Sequence, residues 1–188
     1  EKALADAKAS EERWMKGEPA GLIDGVPSTI KDLVDTKGWS TRRGSLTTSD
    51  NGTWESDAPL VARLRENGAV LLGKTTTPEF GWKGVTDSPL TGITRNPWNP
   101  EKTPGGSSGG AAAAAAACLG ALHHGSDGGG SIRMPSGYTG IYGLKPTFGR
   151  VPTWPASGFG TLSHQGPMTR TVSDLSLIHI SEPTRHDQ

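Results

Sequence analysis

Two serine-bearing glycine clusters, Gly105-Gly106-Ser107-Ser108-Gly109-Gly110 and Gly128-Gly129-Gly130-Ser131, bracket an alanine run in the stretch Thr103 to Pro135. Glycine lets backbone approach backbone and adopt dihedrals closed to other residues. Two such clusters, each presenting a hydroxyl, therefore bring serines and bare amides together on a ligand. The chemistry such a set supports is acyl transfer, in which a serine attacks a carbonyl and backbone N–H groups receive the charge that develops on its oxygen.

Other short patterns compete. Glycine-serine runs also occur as flexible linkers, but both clusters here abut apolar runs that need burial. Residues 68–75, GAVLLGKT, fit the phosphate-binding P-loop pattern. Their interior is four apolar residues that read as strand, and Pro78 discourages the helix that a P-loop requires next. Residues 105–109, GGSSG, fit the nucleophile elbow of α/β-hydrolases, which must follow a strand and needs a histidine base. The prolines between Asn96 and Pro104 argue against that strand. His123 and His124 read as a strand end, and His164 reads as loop. The adjacent pair His123-His124 lacks ligand spacing and Cys118 is the only cysteine, so no metal site is expected. Cys118, following the alanine run, reads as a buried apolar thiol.

The elements that must position these residues follow from pattern. Glu1 to Gly17, charged with scattered apolar positions, reads as a surface helix. Asp57 before Ala58-Pro59, with Leu60, Val61 and Leu64 apolar and Gly68 closing, reads as a capped helix. Ala69 to Leu72 reads as a buried strand. Gly109 to Cys118 reads as a second helix, its alanines suited to tight packing, and Leu119 to His124 as a second buried strand before the GSDGGG turn. Ser28 to Val34 reads as a strand entering the core, and Ser131 to Ser136 as a short helix. Thr77 to Pro104, rich in Pro, Trp, Asn and Gly, reads as a loop-dominated excursion. Helix, glycine turn and apolar strand in repeated order point to an α/β layer architecture.

Glycine supplies 27 of 188 residues, yet the apolar fraction stays in the ordinary globular range. Nineteen basic and nineteen acidic side chains cancel, so no field recruits nucleic acid or an anionic membrane. A small neutral molecule is the expected partner. No run is long and apolar enough to cross a bilayer, and a cytoplasmic location is the default expectation. The chain opens EKALADAKAS without a methionine, so the true N-terminus and any targeting signal are expected to lie outside it.

The glycine-serine segment, together with GLIDGVPSTIKD (residues 21–32), GKTTTPEFG (73–81), TRNPWNPEKTPGGSSGG (94–110), GSDGGGSIRMP (125–135), GLKPTFGRVP (143–152) and GPMTRTVSD (166–174), resembles the amidase signature family. These are hydrolases with a Ser, cis-Ser, Lys triad. The resemblance implies an α/β amidase signature fold with a mixed central sheet flanked by helices, here truncated. It makes Ser131 the nucleophile, Ser107 the bridging serine after a cis peptide bond, and Lys31 the base. Gly128, Gly129, Gly130 and Ser131 would supply oxyanion N–H groups, and no cofactor is needed. Ser108, Asp127 and Arg133 are the supporting or substrate-contacting candidates. Each also has a structural reading: Ser108 bonding the loop backbone, Asp127 capping the turn, and Arg133 pairing with Asp127. A lysine base near neutral pH must be desolvated, so Lys31 should be buried, with Asp32 sent to the other face by strand alternation.

The implied activity is hydrolysis of a carboxylic acid amide to the acid plus ammonia or amine, with a homodimer for the full-length protein. Gly128 stands where the glutaminase subunit of the tRNA-dependent amidotransferase usually has threonine, which favours a free-standing amidase. That subunit, and a nonfunctional truncated chain, are the alternatives. His123-His124 replaces a usually apolar pair. Residues 1–20 are expected as an N-terminal helical segment and 21–174 as an incomplete amidase core. From Leu175 the chain reads LSLIHISEPTR, which resembles the translation of a sequencing-library adapter, so 175–188 are expected to be foreign to the fold.

Overall fold

In the computed structural model, which describes residues 1–52 and 54–176, the chain enters through α1 (Lys2–Lys16) and closes it with Gly17 in the left-handed region at φ 73°. The Gly17 and Glu18 amides donate to Trp14 and Arg13 carbonyls, so the helix end leaves fewer bare carbonyls. Arg13 donates from Nε to the Asp24 carboxylate at 2.7 Å, tying α1 to the strand that follows.

That strand, β1 (Pro27–Lys31), is buried from Ser28 to Lys31. It pairs in parallel with β2 (Val70–Thr75) on one side and β5 (Leu122–Asp127) on the other. Beyond β5 lie β7 (His164–Thr169) and β6 (Tyr142–Gly143), both in antiparallel pairing. The sheet order is β2-β1-β5-β7-β6, a mixed sheet as expected. A separate two-stranded hairpin, β3 (Asp87–Ser88) and β4 (Gly92–Ile93), interrupts the irregular 77–104 excursion.

Alternation along β1 assigns its two faces. Ile30 joins Leu71, Leu122 and the buried Leu60, Val61 and Leu64 of α2 (Pro59–Glu66) in one apolar cluster. Each such side chain contributes about 1.5–3 kcal/mol by leaving water. Thr29 and Lys31 turn to the opposite face. There α3 (Gly109–Ala116) lays Ala111 and Ala112 against Ile132 and Met168. A Cβ on Gly110 would sit 2.4 Å from the Thr76 amide nitrogen, so only glycine allows the start of α3 to press against the backbone after β2. This close approach sets Ser107 and Ser108 over the carboxyl end of β1.

Several sequence expectations shift. Asp57 does not cap α2; Ala58 is the N-cap, and the Asp57 carboxylate instead accepts from the Lys37 N–H at 2.7 Å and pairs with Arg65 at 3.0 Å. Pro59 at the first helical position makes a side-chain cap less necessary. Helix α3 ends at Ala116, so Cys118 is exposed, with φ 60° and its sulfur against Arg170, not buried. The β5 strand absorbs Gly125, Ser126 and Asp127, residues read as turn, because β7 pairs with them. Helix α4 (Arg133–Thr139) starts two residues beyond Ser131, which stands in the turn before it. Residues 68–75 run from a turn into β2, without a phosphate-cradling loop. Of the adapter-like tail, Leu175 closes the short helix α5 (Val172–Leu175); 177–188 lie outside the described residues.

Candidate active site

Lys31 is the last residue of β1 and wholly buried. Burial lowers its pKa from 10.5 to about 7, against an opposing pull from the Asp127 charge. Asp32 faces away, where its carboxylate accepts from the Arg42 and Gly44 amides and its charge acts on Lys74. Lys31 Nζ lies 2.6 Å from Ser107 Oγ, 2.8 Å from Ser108 Oγ and 3.0 Å from Ser126 Oγ.

Three hydroxyls around one amine are not equivalent. A neutral amine has two N–H donors and one lone pair, so one of the three must donate to it. Ser108 Oγ already donates to the Ser126 carbonyl at 3.1 Å and accepts from the Ser126 N–H at 3.2 Å. Its one hydrogen is committed, and it can only accept from Lys31. Ser107 and Ser126 have no other acceptor among the described residues, and of the two Ser107 lies nearer the amine.

The peptide bond Gly106–Ser107 is cis. A Cβ on Gly106 would come within 2.6 Å of the Val85 backbone, which explains glycine at this position. Ser131 sits across from Ser107, held through its own carbonyl, which accepts from the Ser108 N–H at 3.2 Å. Among the described residues no hydrogen bond joins the Ser131 and Ser107 hydroxyls. Both side chains face one cavity of about 730 Å³, also lined by Ser126, Gly128 and Gly129.

The loop that carries Ser131 is shaped by Asp127. Its buried carboxylate accepts from the Gly130 N–H at 2.7 Å, the Ile132 N–H at 3.1 Å and Arg133 Nε at 2.9 Å. Burial would raise this carboxyl, but the Arg133 side chain and the loop amides outweigh it and hold it at about 2. Asp127 and Arg133 are thus bound to each other and to the loop. The Gly130 amide is spent on Asp127 and Gly130 does not line the cavity. The Gly128, Gly129 and Ser131 amides have no acceptor among the described residues, and those three residues do line it.

The rest of the cavity wall is mostly apolar: Leu33, Leu60, Trp82, Trp154, Phe159 and Leu162 contribute. Trp82 and Phe159 meet edge to face at 5.0 Å. Among the described residues no group of His, Cys, Asp and Glu is placed to hold a metal ion, and no helix is long and apolar enough to cross a membrane.

The sequence reading missed Ser126, because its residue was assigned to the turn. Its adjacency to Asp127 and the apolar start of β5 were the available signals. His123 and His124 are buried inside β5, not solvated at its end. Burial lowers them to about 4 and about 3, and both are neutral. His123 Nδ1 meets Thr29 Oγ1 at 2.9 Å, and His124 Nε2 meets Gln165 Oε1 at 2.8 Å.

The family model described as Amidase matches residues 1–186, a range that passes Leu175. The chain belongs to the amidase signature family. It is 44% identical over 182 residues to an indoleacetamide hydrolase of Bradyrhizobium diazoefficiens, covering 93% of this chain and 34% of that protein. It is 47% identical over 179 residues to an acylamidase of Rhodococcus erythropolis, covering 95% of this chain and 37% of the relative. A solved amidase crystal structure superposes with a TM-score of 0.87 at 39% identity, over 95% of this chain and 41% of that one. The chain therefore spans about a third of the length of the curated relatives it matches.

Proposed function

We propose that this chain carries the nucleophile, base and oxyanion loop of an amidase that cleaves a carboxylic acid amide through an acyl-Ser131 intermediate. The observation that carries the reading is the wholly buried Lys31 amine, its pKa lowered by burial, bound to Ser107, with Ser131 lining the same cavity.

In this reading Ser107 gives its proton to Lys31 Nζ while taking the proton of Ser131. The Ser131 oxygen bonds to the amide carbon, and the carbonyl oxygen becomes an oxyanion received by the Gly128, Gly129 and Ser131 N–H groups. Lys31, now an ammonium, returns a proton through Ser107 to the departing nitrogen as the C–N bond breaks. Water then attacks the acyl ester by the same proton route, releasing the acid and restoring Ser131. The Gly130 N–H, bound to Asp127, fixes the loop in place of serving the oxyanion.

Support for an amide substrate comes from the relatives, whose names are those of amide hydrolases. The test is fluorophosphonate labelling of the chain with peptide mapping of the modified serine, beside Ser131→Ala. Label confined to Ser131 and lost in the variant is expected. Label on Ser107 or Ser108 would overturn the assignment of the nucleophile.

A further inference from the structure

Gln165 is 5% exposed, yet it lines the cavity that holds Ser107, Ser126 and Ser131. In the β5–β7 ladder it stands directly opposite Ser126, whose hydroxyl contacts Lys31. Cross-strand neighbours share a face, with Cβ atoms about 5 Å apart. The Gln165 side chain therefore stands beside the lysine end of the cavity.

One end of its amide is already taken. Gln165 Oε1 lies 2.8 Å from Nε2 of His124, which is 6% exposed. The His124 Nδ1 is buried with no partner among the described residues. A proton on Nδ1 would leave an orphaned donor and two acceptors facing one another at Nε2 and Oε1. The proton therefore sits on Nε2 and is donated to Oε1. This anchors the carbonyl end of the amide. The opposite end, Nε2, has no partner among the described residues and is not among the buried orphaned atoms, so it opens into the cavity.

The cavity wall is largely aromatic and aliphatic, with Leu60, Trp154, Phe159 and Leu162 among its members beside the polar Arg43, Lys83 and Ser163. A fixed, nearly buried N–H donor discriminates, because a ligand that cannot accept leaves it desolvated and unpaired. We infer that Gln165 is a specificity-determining residue that donates to a hydrogen-bond acceptor on the acyl part of a largely apolar amide. His124 is the positioning residue that orients it. This rests on the reading of the cavity as an amide-binding site.

The test uses ¹⁵N-labelled chain, phenylacetamide and its three pyridyl isosteres, which differ only by a ring CH replaced with an accepting nitrogen. Dissociation constants are read from the Gln165 side-chain amide resonance and from protection of Ser131 against fluorophosphonate. At least one pyridyl isomer is expected to bind about five- to ten-fold more tightly than phenylacetamide, the worth of one hydrogen bond. Gln165→Leu, read by protection alone, should level the four ligands while leaving cooperative urea unfolding in place. His124→Leu should shrink the preference with Gln165 still present, an effect that loss of packing alone does not predict. Equal binding of all four ligands to the folded wild type, or an unchanged preference in Gln165→Leu, overturns the inference. Preference seen on the Gln165 resonance with Ser131 unlabelled would sink the acyl-serine reading and leave the Gln165 donor standing. Ser131 labelling without any preference would do the reverse.

Discussion

Lys31 Nζ and Ser107 Oγ lie 2.6 Å apart across 76 residues of sequence, the amine with no solvent exposure and the hydroxyl with its hydrogen uncommitted elsewhere. On the proposed mechanism this pair sets the pH dependence of the site. Burial holds the lysine at about 7, and the neutral amine is the form that accepts a proton. Ser131 labelling and amide turnover should therefore fall as pH drops through about 7 and level off above it. In Lys31→Met that limb should disappear and the rate drop about 10²–10⁴-fold, the usual worth of a positioned base. An unchanged limb in the variant would assign it to another group.

Ser107 and Ser108 should separate cleanly. Ser107→Ala removes the proposed relay and should lower the Ser131 labelling rate about 10²-fold or more. Ser108→Ala removes an acceptor for Lys31 and a tie to the Ser126 backbone, and should cost about ten-fold or less. Labelling rates for both, measured at pH 8, decide the assignment; the reverse order would refute it.

Asp127 matters to the loop more than Arg133 does. Asp127→Ala leaves the buried amides of Gly130 and Ile132 without acceptors and should cost about 3 kcal/mol or more in urea unfolding. Arg133, whose side chain is 56% exposed, should cost about 1 kcal/mol when changed to Ala, since the screened pair is weaker and the carboxylate keeps its backbone donors.

Acid should destabilise the chain in two steps. His123 and His124 are held neutral down to about 4 and about 3, whereas unfolded histidine titrates near 6.5. Protons then bind the unfolded state preferentially, so stability falls as pH drops from 6.5 toward 4. The depressed Asp127 carboxyl adds a further loss between 3.8 and about 2. Urea midpoints measured from pH 8 to pH 4 should fall for the wild type and fall less for a His123→Phe variant that remains folded. Equal slopes would argue against the buried histidines as the cause.

The two ends of the glycine-rich segment should respond oppositely to alanine. Gly110→Ala forces a Cβ to 2.4 Å from the Thr76 backbone and should cost about 1–3 kcal/mol. Gly129→Ala meets nothing within 4 Å and should keep the urea midpoint within about 0.5 kcal/mol of wild type. A tolerant Gly110 would mean that α3 does not pack against the chain after β2 as described.

The order of elements was legible from composition and spacing. Apolar runs at Leu60, Val61 and Leu64 and at Val70 and Leu71 gave α2 and the start of β2, because burial of those side chains dominates local choice. Their ends were less legible. Asp57 looked like a cap until Lys37 and Arg65, distant in sequence, claimed its carboxylate. Cys118 looked buried because it follows an apolar alanine run, but the helix stops at Ala116 and leaves the thiol outside.

By itself the sequence determined which residue types could do the chemistry and where the chain needs glycine: serines in glycine clusters, a lysine at a strand end, and small residues where backbones touch. Only the tertiary structure decided which of them lie together and which hydrogen bonds they make. Strand pairing brought Ser126 and Gln165 opposite each other, and the Asp127 carboxylate took the Gly130 amide. Ser108 spent its hydrogen on the Ser126 carbonyl and left Ser107 as the nearest hydroxyl able to donate to Lys31. Hydrogen-bond commitments of this kind are settled by neighbours far along the chain, each donor being spent once, and no local pattern encodes them.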